Sequence, residues 1–139
     1  MYVLDSFAML AFLDGEDGAE RVAEILSQCA TQNARACLSW ISLGEVLYIV
    51  ERERGLHTAQ RILAAIEQLP LELLTASREA VLGAAHVKAR FPLSYADAFV
   101  VAAAQQHGAV IVTGDPEFAA VESIVSVEWL LPSSTFPSG

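Results

Sequence analysis

Asp5, Glu45, Asp97 and Asp115 are the side chains of this sequence whose types and positions could do chemistry together. Asp5 ends the apolar run at residues 2–4, and Asp115 follows the run AVIVT. Glu45 and Asp97 each stand three residues after a serine able to open a helix, Ser42 and Ser94. In open α/β sheets reactive groups gather beyond the carboxyl ends of the strands, so acids at strand-to-helix junctions can share one rim. Each acid also has a local use. Ser42 with Glu45, and Ser94 with Asp97, have the spacing of a capping box, and an acid in a first turn complements the helix dipole. Asp5 can cap the helix after it, and Asp115 before Pro116 suits a turn or an N-cap with proline at the first helical position. Capping does not account for the setting of Asp5 among Tyr2, Val3, Leu4, Phe7 and Leu10, where a lone buried charge is costly. Two carboxylates about 4 Å apart repel by roughly 4 kcal/mol at an effective dielectric of about 20, so a converging set must protonate, splay or bind a cation. Oxygen donors without a neighbouring cysteine or paired histidine select a hard ion, Mg2+ or Mn2+, over zinc.

Other side chains narrow the chemistry. Ser6 and Thr113 adjoin the acids, where a hydroxyl can orient a carboxylate, although β-propensity alone also accounts for Thr113. His57, His86 and His107 are dispersed, with no ligand spacing between them. Cys29 and Cys37 are too few for a disulfide scaffold and lack zinc-ribbon pairing, which fits a reducing cytoplasm. The absence of GxGxxG, GxxxxGK[ST] and GxSxG patterns removes nucleotide kinases and α/β hydrolases. Trp40, Phe99 and Trp129 fall within apolar patterns and are read as core.

Bringing the four acids to one rim requires strands and helices in alternation. Residues 2–4, 36–40, 71–75, 109–113 and 124–128 read as strands. Helical spacing covers 7–13, 17–32, 42–55 and 58–68, then the stretch from a Ser77 cap to Pro92, and finally 95–107 closed by Gly108. Strands separated by helix-length patterns imply right-handed crossovers and a mainly parallel central sheet flanked by helices on both faces. The expectation is one three-layer α/β domain over residues 1–131, with residues 132–139 as a flexible tail.

A chain of 139 residues that is 54% hydrophobic and 18% charged suits a single domain with a sizeable core. Seventeen acidic and eight basic side chains leave a net charge of -9, the opposite of a protein that coats nucleic acid, so any nucleic-acid chemistry must recruit cations. The amino terminus has no basic segment and carries Asp5 inside its apolar stretch, so it does not read as a signal peptide. The longest apolar run, 98–104, is far short of the ~20 residues that cross a bilayer, and no membrane span is expected.

The segments VLDSFAMLAFL, SLGEVLYIVER and LSYADAFVVAAAQQHGAVIVTGDPEF, with a closing hydrophobic strand, resemble the PIN-domain ribonucleases. Among these the chain is most similar to the VapC-type toxins of bacterial toxin–antitoxin pairs. The resemblance covers nearly the whole sequence, and the last long block is its most specific part. It implies a PIN-like fold in which Asp5, Glu45, Asp97 and Asp115 form the catalytic, metal-binding cluster, with Ser6 and Thr113 in supporting positions and Glu117 as an outlying acid. It further implies a homodimer that hydrolyses RNA phosphodiester bonds with Mg2+ or Mn2+ and is inhibited by a cognate antitoxin covering the acidic groove. Arg52, Arg54, Lys88 and Arg90 are candidate phosphate contacts in a chain with one lysine and seven arginines, although a solvated helix face accounts for each as well. Two other readings stay open. One is a magnesium-dependent phosphatase with Asp5 as nucleophile, against which Phe7 stands where a second aspartate is normal. The other is a non-enzymatic, receiver-like or protein-interaction module that binds a basic peptide.

Overall fold

Five short strands make one sheet: β1 (Tyr2–Leu4), β2 (Ala36–Ser39), β3 (Glu72–Leu74), β4 (Val110–Thr113) and β5 (Val127–Trp129). Their order is β3-β2-β1-β4-β5, and every neighbouring pair is parallel. The structure, a computed structural model, describes residues 1–130, so the tail expected at 132–139 lies outside the described residues. Helices fill the crossovers: α1 (Ser6–Asp14), α2 (Ala19–Ala30), α3 (Trp40–Arg54), α4 (Leu56–Glu67), α5 (Arg78–Arg90) and α6 (Tyr95–His107), with a 3-10 helix at Pro116–Val121.

Strand side chains alternate between two cores, as the period of a strand requires. Val3, Cys37 and Ile111 join Ala84 and Val87 of α5, Val100 of α6, and Phe118 of the 3-10 helix on one face. Leu4, Leu38 and Val112 join Met9, Ile25, Val46 and Ile66 from α1 to α4 on the other. A slip of one residue would exchange the two sets, so burial on both faces fixes the register. The three layers expected from the sequence are present, and the sheet is parallel throughout. In α6 every residue from Asp97 to Ala104 is buried, so this helix has no polar stripe. It approaches α5 closely because Gly83 has no side chain; a Cβ there would stand 3.1 Å from the Ala102 methyl.

From β1 the chain winds outwards through β2 and β3, then returns to the far side of β1 as β4. Strand order therefore reverses between β1 and β4, the position where open α/β sheets leave a crevice for ligands. Two elements differ from the sequence expectation. The end of β2 is Ser39, whose hydroxyl caps α3 by accepting the Ile41 N–H at 3.1 Å, so Trp40 opens the helix rather than closing the strand. The last strand lies at 127–129 rather than 124–128, because the 3-10 helix and the turn after it use the apolar residues up to Val125. Among the described residues no helix is long and apolar enough to cross a membrane.

Candidate metal centre

Asp5, the first residue past β1, lies beside Thr113, the last residue of β4, one step beyond the paired residues Leu4 and Val112. The Asp5 carboxylate caps α1, with Oδ1 accepting the Ala8 N–H at 2.8 Å, while Oδ2 accepts the Thr113 hydroxyl at 2.5 Å. Thr113 Oγ1 accepts in turn from the Asp115 N–H at 3.0 Å. Asp115 caps the 3-10 helix by accepting the Glu117 N–H at 2.9 Å, with Pro116 in the first helical position. Ser94 caps α6 by accepting the Asp97 N–H at 3.1 Å. The capping roles read from the sequence for Asp5, Ser94 and Asp115 therefore hold. They do not compete with a site, because they aim the carboxylates at one rim.

Carboxylate oxygens of Asp97, Asp115 and Glu117 lie within 4.8 Å of one another. Burial pushes the Asp97 pKa up from 3.8 to about 7, helped by the facing Glu117 carboxyl and the charges of Asp115 and Asp5, against a hydrogen bond with Ser94. Asp5 is 1% exposed, and burial pushes its pKa from 3.8 to about 7 as well. The bonds from Thr113 and Ala8 pull it down, and the charge of Asp115 pushes it up. Asp5, Asp97 and Asp115 thus repel one another across the switch point. The donor set is carboxylate oxygen alone, which suits a hard divalent ion better than zinc.

Glu45 takes a different place from the one its spacing suggests. Ser42 and Glu45 do not form a capping box, because α3 begins earlier, at Trp40 with Ser39 as its cap, and Glu45 sits in the second turn. Its Oε1 instead accepts a hydrogen bond from the hydroxyl of Ser6, the residue after Asp5. The third member of the close carboxylate group is Glu117. The signal for it was the sequence Asp-Pro-Glu: an aspartate that caps the amide two residues on places the second acid beside itself.

The cations expected to bind phosphate are partly engaged. Arg54 pairs with Asp14 at 2.6 Å, and the Arg52 guanidinium stands 5.6 Å from the centre of the Tyr48 ring, both on the later turns of α3. Arg90 bonds His86 at 3.1 Å in the last turn of α5, which also carries Lys88. Phe99 is core, as expected, but Trp40 is exposed, since its helix starts at the rim. Phe7 and Tyr95 are exposed there too, in the first turns of α1 and α6. The phosphatase and receiver-like alternatives do not fit this geometry. Each Asp5 oxygen accepts one hydrogen bond and keeps a lone pair for an ion, but a carboxylate 1% exposed lacks the open approach that in-line attack on phosphorus needs. The strand order also differs from the 2-1-3-4-5 order of receiver domains.

No curated protein sequence matches the chain. Solved structures do. A DNA-bound VapBC complex from Salmonella typhimurium superimposes with a TM-score of 0.72 at 20% identity, covering 94% of this chain and 98% of that one. A toxin–antitoxin complex from Klebsiella pneumoniae gives 0.72 at 17% identity, covering 95% and 99%. VapC20 of Mycobacterium tuberculosis, described as a sarcin–ricin loop cleaving toxin, gives 0.68 at 17% identity, covering 87% and 95%. At such identities the likeness establishes a shared fold. The family profile described as PIN domain matches residues 2–124, a span that contains every acid discussed above. The chain belongs to the PIN-domain family.

Proposed function

We propose that this protein is a metal-dependent endoribonuclease, cytoplasmic, and the toxin of a type II toxin–antitoxin pair. The observation that carries this proposal is the convergence of Asp97, Asp115 and Glu117 within 4.8 Å beside the buried Asp5, at the switch point of a PIN-domain sheet. Toxins and toxin–antitoxin complexes among the structural neighbours support it.

Asp5, Asp97 and Asp115 would hold Mg2+ or Mn2+, with Glu117 beside them. When bound, such an ion neutralises phosphate charge, lowers the pKa of a coordinated water and stabilises the leaving oxygen. The residues themselves do the positioning. Thr113 and the Ala8 amide fix both oxygens of Asp5, so its orientation is set before substrate arrives. Ser6 fixes Glu45, which we assign to orienting the attacking water and accepting its proton. A net charge of -9 suits a partner antitoxin that covers the acids with a basic segment, and the chain would act as a homodimer.

Incubating purified protein with structured RNAs and Mn2+ or Mg2+ tests the proposal. Defined product ends should form and should disappear with EDTA and with Asp97→Asn, while circular dichroism shows the variant folded. No metal-dependent product from the wild type, or undiminished cleavage by the variant, overturns it.

A further inference from the structure

Phe7 is an apolar side chain at the rim that the core does not need. It is the second residue of α1, two after Asp5, and it is 42% exposed. Its ring nevertheless has a built seat. A Cβ on Gly114 would stand 2.3 Å from Phe7 Cε1 and 2.5 Å from Cζ, so the ring rests on bare backbone between Thr113 and Asp115. Gly114 has no positive φ, so conformation does not demand glycine there; the space taken by the ring does. The same side chain borders a groove of about 240 Å³ between α1 and α3, with Leu10, Ile49 and Glu53. An exposed aromatic is thus held in place by the two segments that carry Asp5 and Asp115.

An RNA-cutting site on this surface has few cations with which to grip phosphates. Three of the eight basic side chains, Arg21, Arg35 and Arg54, are paired with acids. Stacking on an aromatic ring needs no net charge and tolerates any base, which is why single-strand binders use it. Resting on the ribonuclease assignment above, we infer that Phe7 is the platform on which a nucleobase next to the scissile phosphate stacks. Phe7 then fixes where the RNA lies over the acids and takes no part in the bond-breaking step.

The test uses the full chain with Mn2+, an oligoribonucleotide that the wild type cuts at a mapped position, and the same RNA with an abasic nucleotide on either side of the cut. Phe7→Leu keeps the apolar contact and removes the ring, while Phe7→Tyr keeps the ring. Phe7→Leu should lose roughly 10-fold to 100-fold in kcat/KM, mostly through KM, and Phe7→Tyr should cut like the wild type. One abasic substitution should slow the wild type by a similar factor and leave Phe7→Leu no slower than it already is. Undiminished cleavage by Phe7→Leu, or an equal abasic penalty in both proteins, overturns the stacking role alone. A parallel loss of Mn2+ binding by Phe7→Leu, measured by calorimetry, also overturns it by making the ring a support for the acids. Failure of the wild type to cut any RNA removes the ribonuclease assignment itself.

Discussion

Thr113 donates its hydroxyl hydrogen to Asp5 across the seam between β4 and β1, joining residues 108 positions apart in the chain. The same oxygen accepts the Asp115 N–H, so one buried hydroxyl orients one acid through its side chain and another through its backbone. Parallel pairing of Leu4 with Val112 sets them side by side, since Asp5 follows the last residue of β1 and Thr113 is the last residue of β4. Sheet register is thereby converted into the geometry of an acidic site.

Thr113→Val keeps the shape of the residue and removes that hydroxyl. It leaves a buried carboxylate oxygen and the Asp115 amide without their shared partner, which costs about 1–3 kcal/mol. Urea denaturation should show that loss, and calorimetry should show Mn2+ binding weakened roughly 10-fold to 100-fold. Thr113→Ser should recover most of both. Unaltered Mn2+ affinity in Thr113→Val would leave the hydroxyl with a purely structural role.

Metal-free protein should become less stable as the pH rises. Asp5 and Asp97 have pKa values of about 7 in the folded chain against 3.8 in the open. Between those values the folded state binds more protons than the unfolded state, so unfolding free energy falls with pH; the contribution is whole below about pH 4 and gone above about pH 7. In EDTA the Tm should therefore drop by roughly 10–20 °C between about pH 5 and about pH 8. Excess Mn2+ should restore it at the higher pH by binding the ionised acids. Asp97→Asn should reduce both effects, and a Tm in EDTA that climbs over this range would contradict the electrostatic account.

Glu45 and Glu117 should separate in kinetics. Glu117 belongs to the close carboxylate group, whereas Glu45 is held at one side by Ser6. Glu117→Gln should weaken Mn2+ binding more than Glu45→Gln does, and Glu45→Gln should lower kcat by about 100-fold or more at saturating Mn2+, as expected for a lost proton acceptor. Ser6→Ala should give a smaller fall in kcat of the same kind. Equal Mn2+ affinities for the two glutamate variants would return Glu45 to the ligand set that its sequence position suggested.

The division between those glutamates also marks how far the sequence could be read. Strands, helices and the junction acids Asp5, Asp97 and Asp115 are legible because apolar period and punctuation are local signals, and a parallel sheet sends all such junctions to one rim. Ser42 and Glu45 had the right spacing for a cap, yet Ser39 was also a serine next to a helical pattern. The pairing of Ser39 with Leu74, a tertiary fact, ends β2 there and decides between them. Trp40 is exposed for the same reason: moved from the end of a strand to the start of a helix, it leaves the alternation that would have buried it. Glu117 was visible only as a neighbour of Asp115, and the 3-10 turn that brings their oxygens together has no apolar period to announce it.

Gly114→Ala should be more damaging than a surface glycine substitution in ordinary backbone has any reason to be. The added methyl would meet the Phe7 ring at 2.3 Å, so either the ring leaves its seat or the Thr113–Asp115 turn shifts. Overpacking of this kind costs roughly 1–3 kcal/mol. Phe7→Ala alone should cost less, since the side chain is already 42% exposed. In the double variant the clash has no partner, so the two losses should fail to add, and stability should return to nearly that of Phe7→Ala. A double-mutant cycle by thermal denaturation reads the coupling directly. Additive losses would mean that Gly114 is required by the turn itself and that Phe7 only happens to lie above it.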